Sequence, residues 1–87
     1  MKLPKYKQPM YDKYINTDFN QYGLTEHQKE VYDKIFMKAL KSSYCLALPD
    51  GFDKETLKVL KEKGLIKQQA SLISVKIIDD VLKARNS

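Results

Sequence analysis

The sequence predicts an α+β fold, with two main amphipathic helices packed over a small antiparallel sheet, and three observations carry that prediction. Between residues 26 and 41, Val31, Tyr32, Ile35, Phe36, Ala39 and Leu40 recur at helical spacing. A second helical run holds Leu57 and Leu60 and stops at Gly64. Farther on, Ile73, Val75 and Ile77 alternate with Ser74 and Lys76, the period of a half-buried strand. With 87 residues the chain suits one domain with one core. Neither helix can bury its stripe alone, and laying both over a three-stranded sheet solves that problem for a chain of this size.

Residues 1–23 differ from the rest and read as an N-terminal arm preceding a domain over 24–87. They hold Pro4, Pro9 and four of the six tyrosines, Tyr6, Tyr11, Tyr14 and Tyr22, with no clean period of two or 3.6. Pro9 can open one short helical turn through Met10, Tyr11, Tyr14 and Ile15; otherwise the segment reads as extended. Phe19 and Tyr22 are expected to tuck against the domain, because two large rings are costly to leave in water.

Thr25 is a good N-cap, and Gln28 three residues on completes a capping box with it. Glu26 in the first turn suits the helix dipole. The outer face carries Lys29, Glu30, Asp33, Lys34, Lys38 and Lys41, with Glu30 and Lys34 spaced as a favourable i,i+4 pair. Ser42-Ser43 breaks the pattern, and Tyr44 to Leu48 reads as a short strand bounded by the turn signal Pro49-Asp50-Gly51. Asp53 is the expected cap of the second helix and Gly64 its C′ residue, after Lys61 and Lys63 in the last turn. Leu65 to Gln69 and Ser71 to Ile78 read as a hairpin whose turn lacks a glycine. Asp79 is the expected cap of a short final helix holding Val81 and Leu82.

Apolar residues make up 43% and charged residues 31%, so the core is expected to be small and the surface wet. No run approaches the roughly 18 unbroken apolar residues of a membrane span. Met1 to Lys5 is basic, but no apolar run follows it as in a secretory signal. The single cysteine, Cys45, points to a reducing compartment, hence the cytoplasm, and reads as a small buried hydrophobe. The net charge of +5 suits a polyanionic partner such as nucleic acid. Arg85 is the only arginine among the 16 cationic residues. Lysine neutralises phosphate as a point charge, whereas bidentate reading of guanine favours arginine, so the balance leans to backbone binding over base readout.

The run Thr56-Leu57-Lys58-Val59-Leu60-Lys61-Glu62-Lys63-Gly64-Leu65-Ile66 resembles the end of the recognition helix of bacterial winged-helix domains. There a leucine-rich helix ends at glycine and an apolar pair starts the wing hairpin; Lys67 to Ile77 is similar to that wing. The resemblance covers residues 24–78. Only Pro49-Asp50-Gly51-Phe52 fills the place of the helix that a full winged helix has before its recognition helix, so the resemblance implies a shortened helix-turn-helix. The chain also resembles the small lysine-rich accessory proteins encoded between a polymerase gene and a helicase gene on staphylococcal chromosome cassettes. That likeness implies an accessory to replication of a mobile genetic element, working with a polymerase and single-stranded DNA.

The candidate binding residues follow from charge and spacing. Lys54, Lys58 and Lys61 recur at i, i+4 and i+7 and share one helix face, as a phosphate-contacting stripe would require. Glu55 and Glu62 flank it, which is the pattern of an ordinary solvated face. Lys67 and Lys76 on the hairpin extend the patch. In the arm, Lys2, Lys5, Lys7 and Lys13 are interleaved with Tyr6, Tyr11 and Tyr14, which suits single-stranded nucleic acid. There lysines follow the backbone while rings stack on bases, each stack being worth about 1–3 kcal/mol. Tyrosines also anchor protein interfaces, and packing on the chain's own domain would use them equally well. A protein partner would take Tyr11 and Tyr14, with Val81 and Leu82 of the final helix and Met37. His27, next to Glu26, has no partners at metal-ligand spacing, and no carboxylate pair, phosphate loop or catalytic triad pattern is present. The sequence therefore reads as a non-catalytic nucleic-acid-binding accessory protein without metal or cofactor, contacting single-stranded or duplex DNA. A protein-interaction module and a dimeric transcriptional repressor are the alternatives.

Overall fold

The computed structural model describes residues 4–42, 45–47 and 52–86, with only the backbone described at 45–47 and 86. It is an α+β structure of helix α1 (Gln8–Asn16), a 3-10 turn (Phe19–Tyr22), helix α2 (Glu26–Lys41), strand β1 (Cys45–Ala47), helix α3 (Lys54–Glu62), strands β2 (Ile66–Gln69) and β3 (Leu72–Val75), and helix α4 (Lys76–Asn86).

Helix α2 occupies the span its capping box and stripe dictate. Gln28 N–H donates to the Thr25 hydroxyl at 3.1 Å, and Thr25 N–H donates back to Gln28 Oε1 at 3.0 Å, satisfying two of the amides a helix start leaves without partners. Its apolar stripe, Val31 through Leu40, is buried and forms the middle of the core. The i,i+4 ion pair on its outer face is Lys29–Asp33, not the expected Glu30–Lys34, because Lys29 and Asp33 border the aromatic cluster described below.

Helix α3 starts where Asp53 accepts from Thr56 N–H at 3.1 Å. It ends in a Schellman motif: Leu65 N–H donates to Leu60 O and Gly64 N–H to Lys61 O, both at 3.0 Å, with Gly64 at φ 75°. That turn sends Leu65 and Ile66 back into the core, where both are buried. The sheet is antiparallel in the order β1-β3-β2. Ile73 and Val75 of central β3 face inward, with Ile66 opposite Val75. The glycine-free hairpin turn places Ala70 at φ 54°, in the left-handed region.

Two expectations are corrected. The arm is not extended over its described part. Residues 8–16 form α1, entered through Pro9, with Met10 buried in the core and Tyr14 stacked on Phe36 at 4.3 Å between ring centroids and 11° between planes. Met10, Tyr11 and Tyr14 form a stripe too short to announce a helix alone, and packing on α2 supplies what local propensity lacks. The hairpin's second strand stops at Val75, and residues 76–86 form an 11-residue helix. Ile77 and Ile78 are both buried, with Val81 and Leu82 half-buried beneath the same core, so the spacing i, i+1, i+4, i+5 belongs to a helix. The alternation 73, 75, 77 runs on past Val75, where the ladder ends. The sequence-predicted strand ends Tyr44 and Leu48, and the shortened connection around Pro49 to Gly51, lie outside the described residues; so does the Cys45 side chain.

Tyr32 is fully buried, and its hydroxyl has no hydrogen-bond partner among the described residues. Burial pushes its phenol well above the ordinary value. A buried unsatisfied hydroxyl is a liability whose removal leaves the ring's packing intact. Tyr32→Phe is therefore expected to be neutral to stabilising by about 1 kcal/mol, measured by thermal unfolding; a loss of stability would mean that the hydroxyl has a partner.

Candidate nucleic-acid interface

The α3 face that carries the stripe is positioned by its opposite side. Thr56, Leu57 and Leu60 are buried, which turns Lys54, Lys58 and Lys61 outward, and all three are exposed. Among the described residues none of the three lies within 4.0 Å of a carboxylate, whereas Lys13 pairs with Asp80 and Lys29 with Asp33. Lys54, Leu57 and Lys61 line a shallow groove with Gln68 of β2, and Lys61 Nζ donates to Gln68 Oε1 at 2.8 Å. Exposed Glu55 and Glu62 share the helix, and of the three lysines Lys54 and Lys61 line the groove toward β2.

The other two hairpin cations stand elsewhere. Successive strand residues point to opposite faces, and Lys67 is opposite Ser74 in the ladder. It therefore lies on the outer face of the sheet, in a groove with Gln69, Leu72, Ser74 and Asp79, while Gln68 faces α3. Lys76 is the exposed first residue of α4. The structure thus brings Lys54, Lys58 and Lys61 together, leaves Lys67 on the outer face of the sheet and puts Lys76 at the start of α4.

The N-terminal candidates divide in the same way. Lys5 and Tyr6 are exposed, Tyr6 at 56%. Lys7 is largely buried, and its Nζ donates to Ser42 O at 3.4 Å, at the C-terminal end of α2. A cation there complements the helix dipole. Tyr11 is half-buried against Tyr14. Besides stacking on Phe36, Tyr14 donates from its hydroxyl to Asp33, which also takes Lys29. Lys29 Nζ lies 5.0 Å from the Tyr14 ring centroid and 4.5 Å from that of Phe19. Burial first, then the hydrogen bond to Asp33, push the Tyr14 phenol well above its ordinary value. Tyr14 is thus held on both ring and hydroxyl, which suits packing on its own domain. Val81 and Leu82 are half-buried, and Met37 is also packed against the core. Nearby, α4 is tied to the N-terminal segment by the Lys13–Asp80 pair and by Arg85 donating to Tyr6 O.

His27 reaches Asp53: Nε2 and Oδ1 are 3.1 Å apart, linking the N-termini of α2 and α3 at the surface. The Thr56 hydroxyl, and after it His27, hold the Asp53 carboxyl down at about 2. A depressed carboxyl contributes stability above its unfolded value, and that contribution is lost as pH falls through the folded one. Thermal unfolding between about pH 4 and 2 is therefore expected to decline more steeply for the native chain than for Asp53→Asn, which keeps a capping oxygen but cannot titrate. Parallel curves would remove Asp53 from the acid response. Among the described residues no group of three or more His, Cys, Asp or Glu could hold a metal ion, and no helix is long and apolar enough to cross a membrane.

Sequence reasoning passed over Asp33 and Gln68. Asp33 reads as one more charge on a solvated face, and only the docking of α1 brings Tyr14 to it. Gln68 reads as a neutral hairpin residue, and its role depends on the distance between α3 and β2. Protein-family models, curated proteins and solved structures were all compared with the chain, and none matches it.

Proposed function

We propose that this protein is a non-catalytic nucleic-acid-binding accessory module of winged-helix type, which grips the DNA backbone through Lys54, Lys58 and Lys61. One observation carries the reading: three exposed lysines share one face of α3 and have no carboxylate partner among the described residues, whereas Lys13 and Lys29 are each paired with an aspartate. Cations left unpaired on a common face form an electrostatic footprint for phosphates. The winged-helix part is supported by the succession α2, β1, α3 and the β2-β3 hairpin, with β1 closing the sheet against β3. The likeness to the cassette-encoded accessory proteins adds a replicative role in the cytoplasm with a polymerase as partner. Exposed Lys5 and Tyr6 are the residues that would extend the contact to single strands, Tyr6 by stacking. Titration of isotope-labelled protein with single-stranded and duplex DNA is expected to move the amide resonances of residues 54–61 and 68 first. Shifts confined to other surfaces would overturn the assignment.

A second reading, recognition of a protein without DNA contact, is favoured by Tyr6 and Ile15, exposed at 56% and 58% on the N-terminal segment. Under it the same titration leaves residues 54–61 unmoved, and replacing Tyr6 and Ile15 by serine abolishes partner binding without unfolding the core.

A further inference from the structure

We infer that Gln68 is a positioning residue for Lys61, so that the hairpin turn and the α3 stripe act as one phosphodiester-binding unit; this rests on the nucleic-acid reading above. A lysine side chain is normally mobile, and ordering it against a phosphate costs rotamer freedom. Lys61 is already held. Its Nζ donates to Gln68 Oε1 at 2.8 Å, and its position borders the groove formed with Leu57 and Lys54.

The Gln68 amide is itself oriented. Its Nε2 donates to Ala70 O at 3.2 Å, and Ala70 sits at φ 54° in the tight turn between β2 and β3. With the nitrogen end taken by the turn, the oxygen end faces α3. The chemistry of the acceptor matters as much as its place. Asp80 and Asp33 oppose the charges of Lys13 and Lys29, but an amide oxygen is neutral and leaves the charge of Lys61 whole. An ammonium has three donor hydrogens, so after the bond to Gln68 two remain for phosphate oxygens. The arrangement supplies a fixed, undiminished cation at the end of the stripe, where a carboxylate in the same position would supply a fixed but neutralised one.

The test is a double-mutant cycle between Gln68 and Lys61, read by anisotropy of labelled oligothymidylate, single-stranded and annealed to oligoadenylate. Both side chains are exposed at their polar ends, and circular dichroism verifies that each variant is folded. In the native chain, Gln68→Ala is expected to weaken binding about threefold to tenfold, the scale of one side chain's ordering. In a Lys61→Gln background the same change is expected to have no effect, because the cation it positions is gone. Gln68→Glu is expected to lower the salt dependence by about one counterion in the native chain. Native protein that binds neither DNA at low salt would remove the reading on which the inference rests. Native binding that Gln68→Ala leaves unchanged, or weakens equally in both backgrounds, would remove the inference alone.

Discussion

Replacing Lys54, Lys58 and Lys61 together by glutamine is expected to weaken DNA binding about a hundredfold or more at about 0.1 M salt. Each lysine that meets a phosphate displaces a condensed counterion, and the free energy of that release scales with the number of contacts. Three lost contacts should therefore flatten the log–log salt slope by about two to three units. The effect should be confined to binding. All three side chains are exposed and lack carboxylate partners among the described residues, so stability is expected to change by less than about 0.5 kcal/mol each. Glutamine removes the charge while keeping the helix propensity of lysine. A folded variant that binds DNA as tightly as the native chain would show that the stripe is an ordinary solvated face.

Met10→Ala is expected to cost about 2–5 kcal/mol of folding stability, the range for truncating a fully buried methionine, as measured by denaturant unfolding. A domain of this size is stable by only about 5–15 kcal/mol, so the loss is a large fraction of the whole. The reason is that α1 belongs to the core. Met10 has no exposed surface, and Tyr14, four residues later, stacks on Phe36 and donates to Asp33. Tyr6→Ala, at an exposed site before the helix, is expected to change stability by less than about 0.5 kcal/mol. Removing residues 1–17 should accordingly unfold the domain, and could not separate a recognition arm from an independent core. If Met10→Ala had no effect on stability, the N-terminal segment would be an appendage after all.

What was legible in the sequence was what local chemistry determines. Helix α2 announces itself by a capping box and an unbroken stripe, and α3 by Asp53 at one end and Gly64 at the other, and these caps are present with the expected partners. The hairpin was legible from alternation, but its end was not. Ile77 satisfies both the strand period from Ile73 and the helical spacing to Val81, and only the sheet's limits decide between them. Helix α1 was hidden for a different reason. Nine residues, of which Met10, Tyr11 and Tyr14 turn inward, are too few to form a helix unaided, and its existence depends on Phe36 and Asp33, which lie more than fifteen residues away in the chain. The candidate site divides along the same line. The sharing of one face by Lys54, Lys58 and Lys61 follows from helical period alone. The placement of Lys67 on the opposite sheet face, the use of Lys7 at the end of α2, and the hold of Gln68 on Lys61 all depend on tertiary packing.

The most direct test of the central claim is equilibrium binding of labelled single-stranded and duplex DNA to the native chain, followed by fluorescence anisotropy across a salt series. The account predicts binding at low salt whose log–log slope reports about three or more released counterions. Absence of binding to either DNA at low salt, or binding whose strength does not depend on salt, would contradict it.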